Sequence, residues 1–234
     1  NEDVDILEQT KPNKNKWISF LADGVLSGLM LGIGGMVSLS SENRFLGAFL
    51  FSLGLFCIVQ FKYGLFTGKV GYIVNRDLPY VAETAVTLVG NALGTLIAAL
   101  LLRQVRFFTS TVSTMDVTIS DRVQATVAGK IHDNPLSIFI LAIFCGILMF
   151  TAVEGSRKCK EEKNFAGSLF VVVMPVMVFI ICGFNHCIAD MFYYFFAGCP
   201  EPSKAIVYFI LAIAGNSVGG MIVPLLKKLS NQPL

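Results

Sequence analysis

The sequence predicts an all-α membrane protein with six transmembrane helices in an inverted 3+3 repeat, the second and fifth broken near the bilayer midplane. Three observations lead there. Apolar residues fill 54% of the 234 positions and charged residues only 15%, against about 25% charged in an ordinary soluble domain. The apolar residues fall in blocks of about 20, long enough for a helix to cross a hydrocarbon core roughly 30 Å thick. Two blocks, Phe45–Asn75 and Ala166–Phe196, are too long for one simple crossing and are interrupted by polar residues. This composition excludes a soluble enzyme, a disordered regulator and a secreted disulfide scaffold. A net charge of +2 is too small to imply nucleic acid as a partner.

The elements follow in chain order. Asn1–Lys16 is polar and charged, unlike a secretory signal peptide, and reads as a cytoplasmic segment (1–16). Span one, Trp17–Leu39, places Gly24, Gly28 and Gly32 on one flat face where another helix packs closely. Span two breaks at Gln60-Phe61-Lys62-Tyr63-Gly64 and resumes with Leu65-Phe66-Thr67-Gly68. Span three, Pro79–Leu102, holds Gly90-Asn91-Ala92-Leu93-Gly94 and closes the first repeat, 17–102. Residues 103–134 form a polar extracytoplasmic linker, in which His132 and Lys130 read as solvated. Span four is Pro135–Val153. Span five breaks at Gly183-Phe184-Asn185-His186 and resumes with Cys187-Ile188-Ala189-Asp190-Met191. Span six, Lys204–Leu226, holds Gly215-Asn216-Ser217-Val218-Gly219 and closes the second repeat, 135–226; a cytoplasmic tail, 227–234, follows. Gly54, Gly94 and Gly219 read as further close helix contacts.

The same G-N-x-[LV]-G follows the broken span in each half. Three spans separate the copies, so the second copy runs in the opposite sense across the membrane. Breaks at matching places in two halves mark a substrate path, because unpaired backbone is tolerated only where it lines a cavity or is buried in protein. With both termini inside, the cytoplasmic side holds eleven cations (Lys11, Lys14, Lys16, Lys69, Arg76, Arg157, Lys158, Lys160, Lys163, Lys227, Lys228). The outside holds six (Arg44, Arg103, Arg106, Arg122, Lys130, Lys204), an asymmetry that favours both termini in the cytoplasm. The expected location is the cell (inner) membrane.

Few residues have the chemistry for a site. His186 lies in the second break, and an ionisable group at membrane depth is a functional candidate by default. It reads either as a neutral ring satisfied by a backbone carbonyl or as the place where a proton meets a substrate. Thr67 lies just past the first break, at the matching place. Asn91 and Asn216 either supply amides around this centre, with Asn216 holding the His186 ring, or only bridge helices. Lys62 either snorkels outward or attracts anions, and Lys130 could act likewise. Asp190, a possible acid for an enzyme, reads rather as a rim or helix-contact residue. No Asn-Pro-Ala pair, Walker A motif or HExxH is present, and the six cysteines form no CxxC, so no metal or cofactor is expected. Ser168 opens span five without the neighbourhood of an intramembrane serine protease.

Four stretches resemble the formate/nitrite transporter family. Phe51-Ser52-Leu53-Gly54-Leu55 with Leu65-Phe66-Thr67-Gly68 resembles its broken second helix. Met174-Pro175 through Phe179, with Gly183-Phe184-Asn185-His186-Cys187-Ile188-Ala189-Asp190-Met191, resembles its fifth-helix signature. Gly215-Asn216 with Gly219-Gly220 resembles its sixth helix, and the Gly-rich first helix fits as well. The resemblance implies an aquaporin-like fold, a homopentamer with one pore per protomer, and a transporter rather than an enzyme. It implies that Leu55, Leu65 and Phe66, with Phe51 beside them, form the cytoplasmic-side constriction, and that Phe179 forms the outer one. His186 is then the central histidine, Thr67 its partner with Asn216 nearby, and Lys130 the lysine ahead of the fourth helix. Lys62-Tyr63-Gly64 stands where the family often has Gly-Ala-Glu, and Gly146 where many members have Asn.

The expected function is passage of a small monovalent weak-acid anion such as formate, nitrite or hydrosulfide. The anion is protonated through His186 between two apolar constrictions. A passive anion channel and a neutral-solute, aquaporin-type channel are the alternatives.

Overall fold

The computed structural model describes residues 15–112 and 116–230, and these fold almost wholly as helix. In chain order the helices are α1 (Lys16–Ser40), α2 (Arg44–Phe61), α3 (Phe66–Lys69), α4 (Leu78–Leu102), α5 (Ile119–Ile131), α6 (Pro135–Glu161), α7 (Phe165–Cys182), α8 (Cys187–Phe196) and α9 (Pro202–Leu229). A 3₁₀ turn, Val70–Asn75, continues α3. Six of them, α1, α2, α4, α6, α7 and α9, are long and apolar enough to cross a membrane. Most of the two terminal segments expected at 1–16 and 227–234 lies outside the described residues.

Asparagine starts four of these helices. The Oδ1 atoms of Asn15, Asn43, Asn134 and Asn164 accept first-turn N–H groups of α1, α2, α6 and α7, groups that the helix itself leaves without partners. α2 and α7 both end in a left-handed residue, Lys62 (φ 60°) and Gly183 (φ 71°). In both, the next residue donates back into the last turn: Tyr63 N–H to the Ile58 carbonyl and Phe184 N–H to the Phe179 carbonyl, each at 2.9 Å. This turn stops the helix and reverses the chain. Glycine takes that backbone freely and lysine at a cost.

The halves pack alike. α1 lies against α2 and α4, α6 against α7 and α9, and the broken α2 and α7 meet each other between the halves. Close approach depends on glycine. A Cβ at Gly24 would sit 2.8 Å from the Thr87 carbonyl, and one at Gly219 would fall on the Ile143 backbone.

Three expectations change. The polar linker holds a helix, α5, whose Ile119, Val123, Val127 and Ile131 are buried in a stripe of period four. α6 runs to Glu161, past the Val153 expected for span four, because Glu154 is satisfied by Arg157 and Tyr72 rather than by leaving the helix. The first break spans Lys62–Leu65, later than the expected Gln60–Gly64.

Candidate functional site

Both breaks are shaped by one asparagine in the following long helix. Asn91 of α4 accepts the Phe66 N–H (2.9 Å) and donates to the carbonyls of Gly64 (2.8 Å) and Gly24 (2.9 Å). Asn216 of α9 accepts the Cys187 N–H (2.9 Å) and donates to the carbonyls of Asn185 and Ala142 (2.8 Å each). Each amide therefore satisfies the first N–H of the short helix, the carbonyl two residues before it and a carbonyl of the half's first helix. Both are fully buried. Asn216 thus bridges helices and does not hold the His186 ring.

This shared register corrects the expected matching of the halves. Phe66 corresponds to Cys187, so Leu65 corresponds to His186 and Thr67 to Ile188. The two polar side chains are not equivalents. Each half offers one polar and one apolar residue, and the polar ones meet across the halves: Thr67 Oγ1 lies 3.1 Å from His186 Nε2, both buried.

The other ring nitrogen settles the tautomer. Ala189 N–H donates to His186 Nδ1 at 3.1 Å, making His186 the N-cap of α8. A neutral ring therefore carries its proton on Nε2 and donates it to Thr67 Oγ1. A cationic ring would bring an Nδ1–H against the Ala189 N–H, so charging the ring breaks this cap.

Apolar groups flank the pair. The Phe179 ring lies 5.6 Å from the His186 ring, and Phe51 meets Phe179 edge to face at 5.7 Å. Phe51, one turn before Leu55 on α2, therefore also reaches Phe179. Leu55, Leu65 and Phe66 are buried, and Leu65 and Phe66 directly precede Thr67 in the chain. Leu65 borders a cavity of about 310 Å³ that Lys62, Lys69, Arg157 and Lys160 also line. Phe179 borders a second cavity of about 430 Å³, which Arg44, Arg122, Lys130, Glu42 and Asp190 also line. Phe179 thus touches both a cavity and the His186 ring, while Leu65, two residues before Thr67, borders the other cavity.

The lysines differ from the expectation. Lys130, on α5, is not solvated: Nζ donates to Asn185 Oδ1 at 2.8 Å and pairs with Asp190 at 3.1 Å. The buried Asp190 also accepts Tyr208 Oη at 2.6 Å, which makes it a helix-contact residue. Lys62 is exposed at the mouth of its cavity. His132, half-exposed, bonds Glu201 at 2.8 Å. Lys204 first, and then His132, hold the Glu201 carboxyl below the usual carboxylate range. Sequence reasoning missed Arg44 and Lys160 as site residues, because their partners are backbone carbonyls: Ile180 and Ile181 for Arg44, Val59 for Lys160.

Comparison with known proteins agrees with this architecture. A model of the formate/nitrite transporter family matches residues 5–228. The formate channel FocA of Haemophilus influenzae is 26% identical over 206 residues, covering 82% of this chain and 71% of that protein. Among solved structures, a pentameric formate channel with formate bound superposes with a TM-score of 0.74 at 23% identity, over 94% of this chain and 99% of that one. An ion channel of the FNT family superposes with a TM-score of 0.75 at 16% identity, over 93% and 90% of the two chains.

Proposed function

Because this chain belongs to the formate/nitrite transporter family, and is therefore an integral, multi-pass membrane transporter, we propose that it conducts small monovalent weak-acid anions of the size of formate, nitrite or hydrosulfide. The observation that carries this assignment is the buried Thr67–His186 pair, a polar station set against the Phe179 ring. An anion stripped of water beside apolar groups loses several kcal/mol of solvation or more, so crossing favours a step in which it becomes the neutral acid. The likeness to a pentameric channel supports a homopentamer with one such path per protomer. The cation asymmetry supports both termini in the cytoplasm of a cell membrane, and the odd number of spans per half supports opposite senses for the two repeats.

Two forms of the proton step differ at His186. In the relay form, an imidazolium gives its Nε2 proton to the anion through the Thr67 hydroxyl. In the donor form, the ring stays neutral, its Nε2–H fixes the Thr67 hydroxyl as a donor to the anion, and the proton comes from solvent hydronium, which leaves as water. The Ala189 N–H on Nδ1 favours the donor form, because the relay leaves its remaining proton on the occupied Nδ1.

Flux into proteoliposomes tests both claims, using formate, nitrite, hydrosulfide and chloride at two internal pH values. Weak-acid anions should pass with rates that follow the pH gradient, and chloride should not. Passage of chloride without pH dependence would reject the weak-acid assignment. His186→Gln keeps an N–H donor but has no titratable nitrogen. Flux that stays pH-coupled in this variant supports the donor form; coupling lost with flux retained supports the relay.

A further inference from the structure

The broken helices α2 and α7 each aim a C-terminus, the negative end of the helix dipole, at a cavity mouth. For an anion path this is the wrong sign. The positive ends of α3 and α8 are no remedy by hydrogen bonding, since Asn91, Asn216 and the His186 ring already hold the Phe66, Cys187 and Ala189 N–H groups.

One cation from the opposite half sits on each negative end. Lys160 Nζ donates to the Val59 carbonyl at 2.8 Å, three residues before the left-handed Lys62 that ends α2. Arg44 Nη2 donates to the carbonyls of Ile180 (3.3 Å) and Ile181 (2.8 Å), three and two residues before the left-handed Gly183 that ends α7. Val59 and Ile180 are equivalent positions in the register set by the two asparagines. The cations are not equivalent: Arg44 opens α2, whereas Lys160 lies at the end of α6. The same contact is therefore made from two unrelated places in the chain and is no relic of a repeated sequence.

Some neighbouring cations are neutralised by carboxylates, whereas Arg122, which lines the same cavity as Arg44, is held on the Leu39 and Ser41 carbonyls at the end of the unbroken α1. Lys130 is paired with Asp190, and Arg157 with Glu154 and Glu161. Neither Arg44 nor Lys160 has a carboxylate within ion-pair distance among the described residues, although Glu42 lines the same cavity as Arg44. We infer that Arg44 and Lys160 are the specificity-determining cations of the two mouths: held on backbone carbonyls, they cancel the negative helix ends and give each mouth its preference for anions. The inference rests on the anion-path assignment above. It moves the role expected for Lys62 and Lys130 to residues held on backbone carbonyls and without a carboxylate partner among the described residues.

The test is initial formate uptake by the protein in liposomes at ionic strengths of ~10 mM and ~1 M, where the screening length falls from about 30 Å to about 3 Å. The ionic strength is set with a bulky impermeant salt. Arg44→Gln and Lys160→Gln should each slow uptake about fivefold at low salt, as expected for one lost steering charge, and less than about twofold at high salt. Arg44→Lys and Lys160→Arg should restore the low-salt rate. A loss equal at both salt concentrations would show clamps that only hold the helix ends, and would overturn the inference; so would no loss at either. If the unmodified protein takes up no weak-acid anion at all, the anion-path assignment itself falls, and this inference with it.

Discussion

At the scale of single residues, Asn91 and Asn216 do the structural work at the centre. Each satisfies one N–H and one carbonyl that a broken helix would otherwise strand away from water, and ties them to a carbonyl of the half's first helix. Replacing either with Leu keeps the volume close and leaves those groups unpaired, at about 1–3 kcal/mol for each group that finds no substitute partner. Asn91→Leu and Asn216→Leu should each destabilise the folded protein by about 2–5 kcal/mol, by similar amounts, as read from unfolding in a detergent–denaturant series. A loss in only one variant would break the equivalence. The motif containing each asparagine was plain in the sequence, and its position after each break pointed to the right neighbourhood. Its task was not legible, because it depends on which backbone groups a break strands, and those follow from a register fixed only in three dimensions. The same gap placed Thr67 opposite His186 as an equivalent, when the equivalent is Leu65.

At the scale of elements, the spans were legible because helix length and apolar content are linear properties of the chain. α5 was not, since its 13 residues are polar on average and only every fourth is buried. The signals were present: the stripe Ile119, Val123, Val127, Ile131, and a capping box in which Thr118 and Asp121 each accept the other's backbone N–H. Two substitutions should move this helix in opposite directions. Thr118→Ala removes the cap and should cost about 0.5–2 kcal/mol. Gly129 is exposed within α5 and a Cβ there meets nothing within 4 Å, so Gly129→Ala should gain about 0.5–1 kcal/mol. Hydrogen exchange of the 119–131 amides checks both: faster in the first, slower in the second. Because α5 presents Lys130 to Asp190 and Asn185, its stability also governs how firmly the second break is held.

At the scale of the whole molecule, the path proposed above passes two apolar groups in series, so on that proposal the narrower one limits any solute. Phe179→Ala alone should leave the acetate-to-formate flux ratio nearly unchanged while Leu65 still restricts the other side. Phe179→Ala with Leu65→Ala should raise that ratio at least about tenfold, the scale of discrimination one extra carbon allows. A full rise from the single change would place all selection at the aromatic side. The six spans, the two breaks and the central histidine were all legible, because a polar residue inside an apolar block is conspicuous. The electrostatics of the mouths were not, because Arg44 and Lys160 find their partners 136 and 101 residues away along the chain.

The reach of the asparagine bonds has one more consequence. Among the described residues the Asn91 side chain bonds to Gly24, Gly64 and Phe66, and that of Asn216 to Ala142, Asn185 and Cys187. Each half is thus a cassette that closes its own break. The bonds that cross between cassettes are of another kind, among them Thr67 to His186, Arg44 to α7, Lys160 to α2, Gln60 to Ser168 and Tyr72 to Glu154. A chain severed in the connection after α4 keeps, in each piece, every asparagine bond that shapes its break. What the pieces lack apart is the Thr67–His186 pair, which forms at their seam.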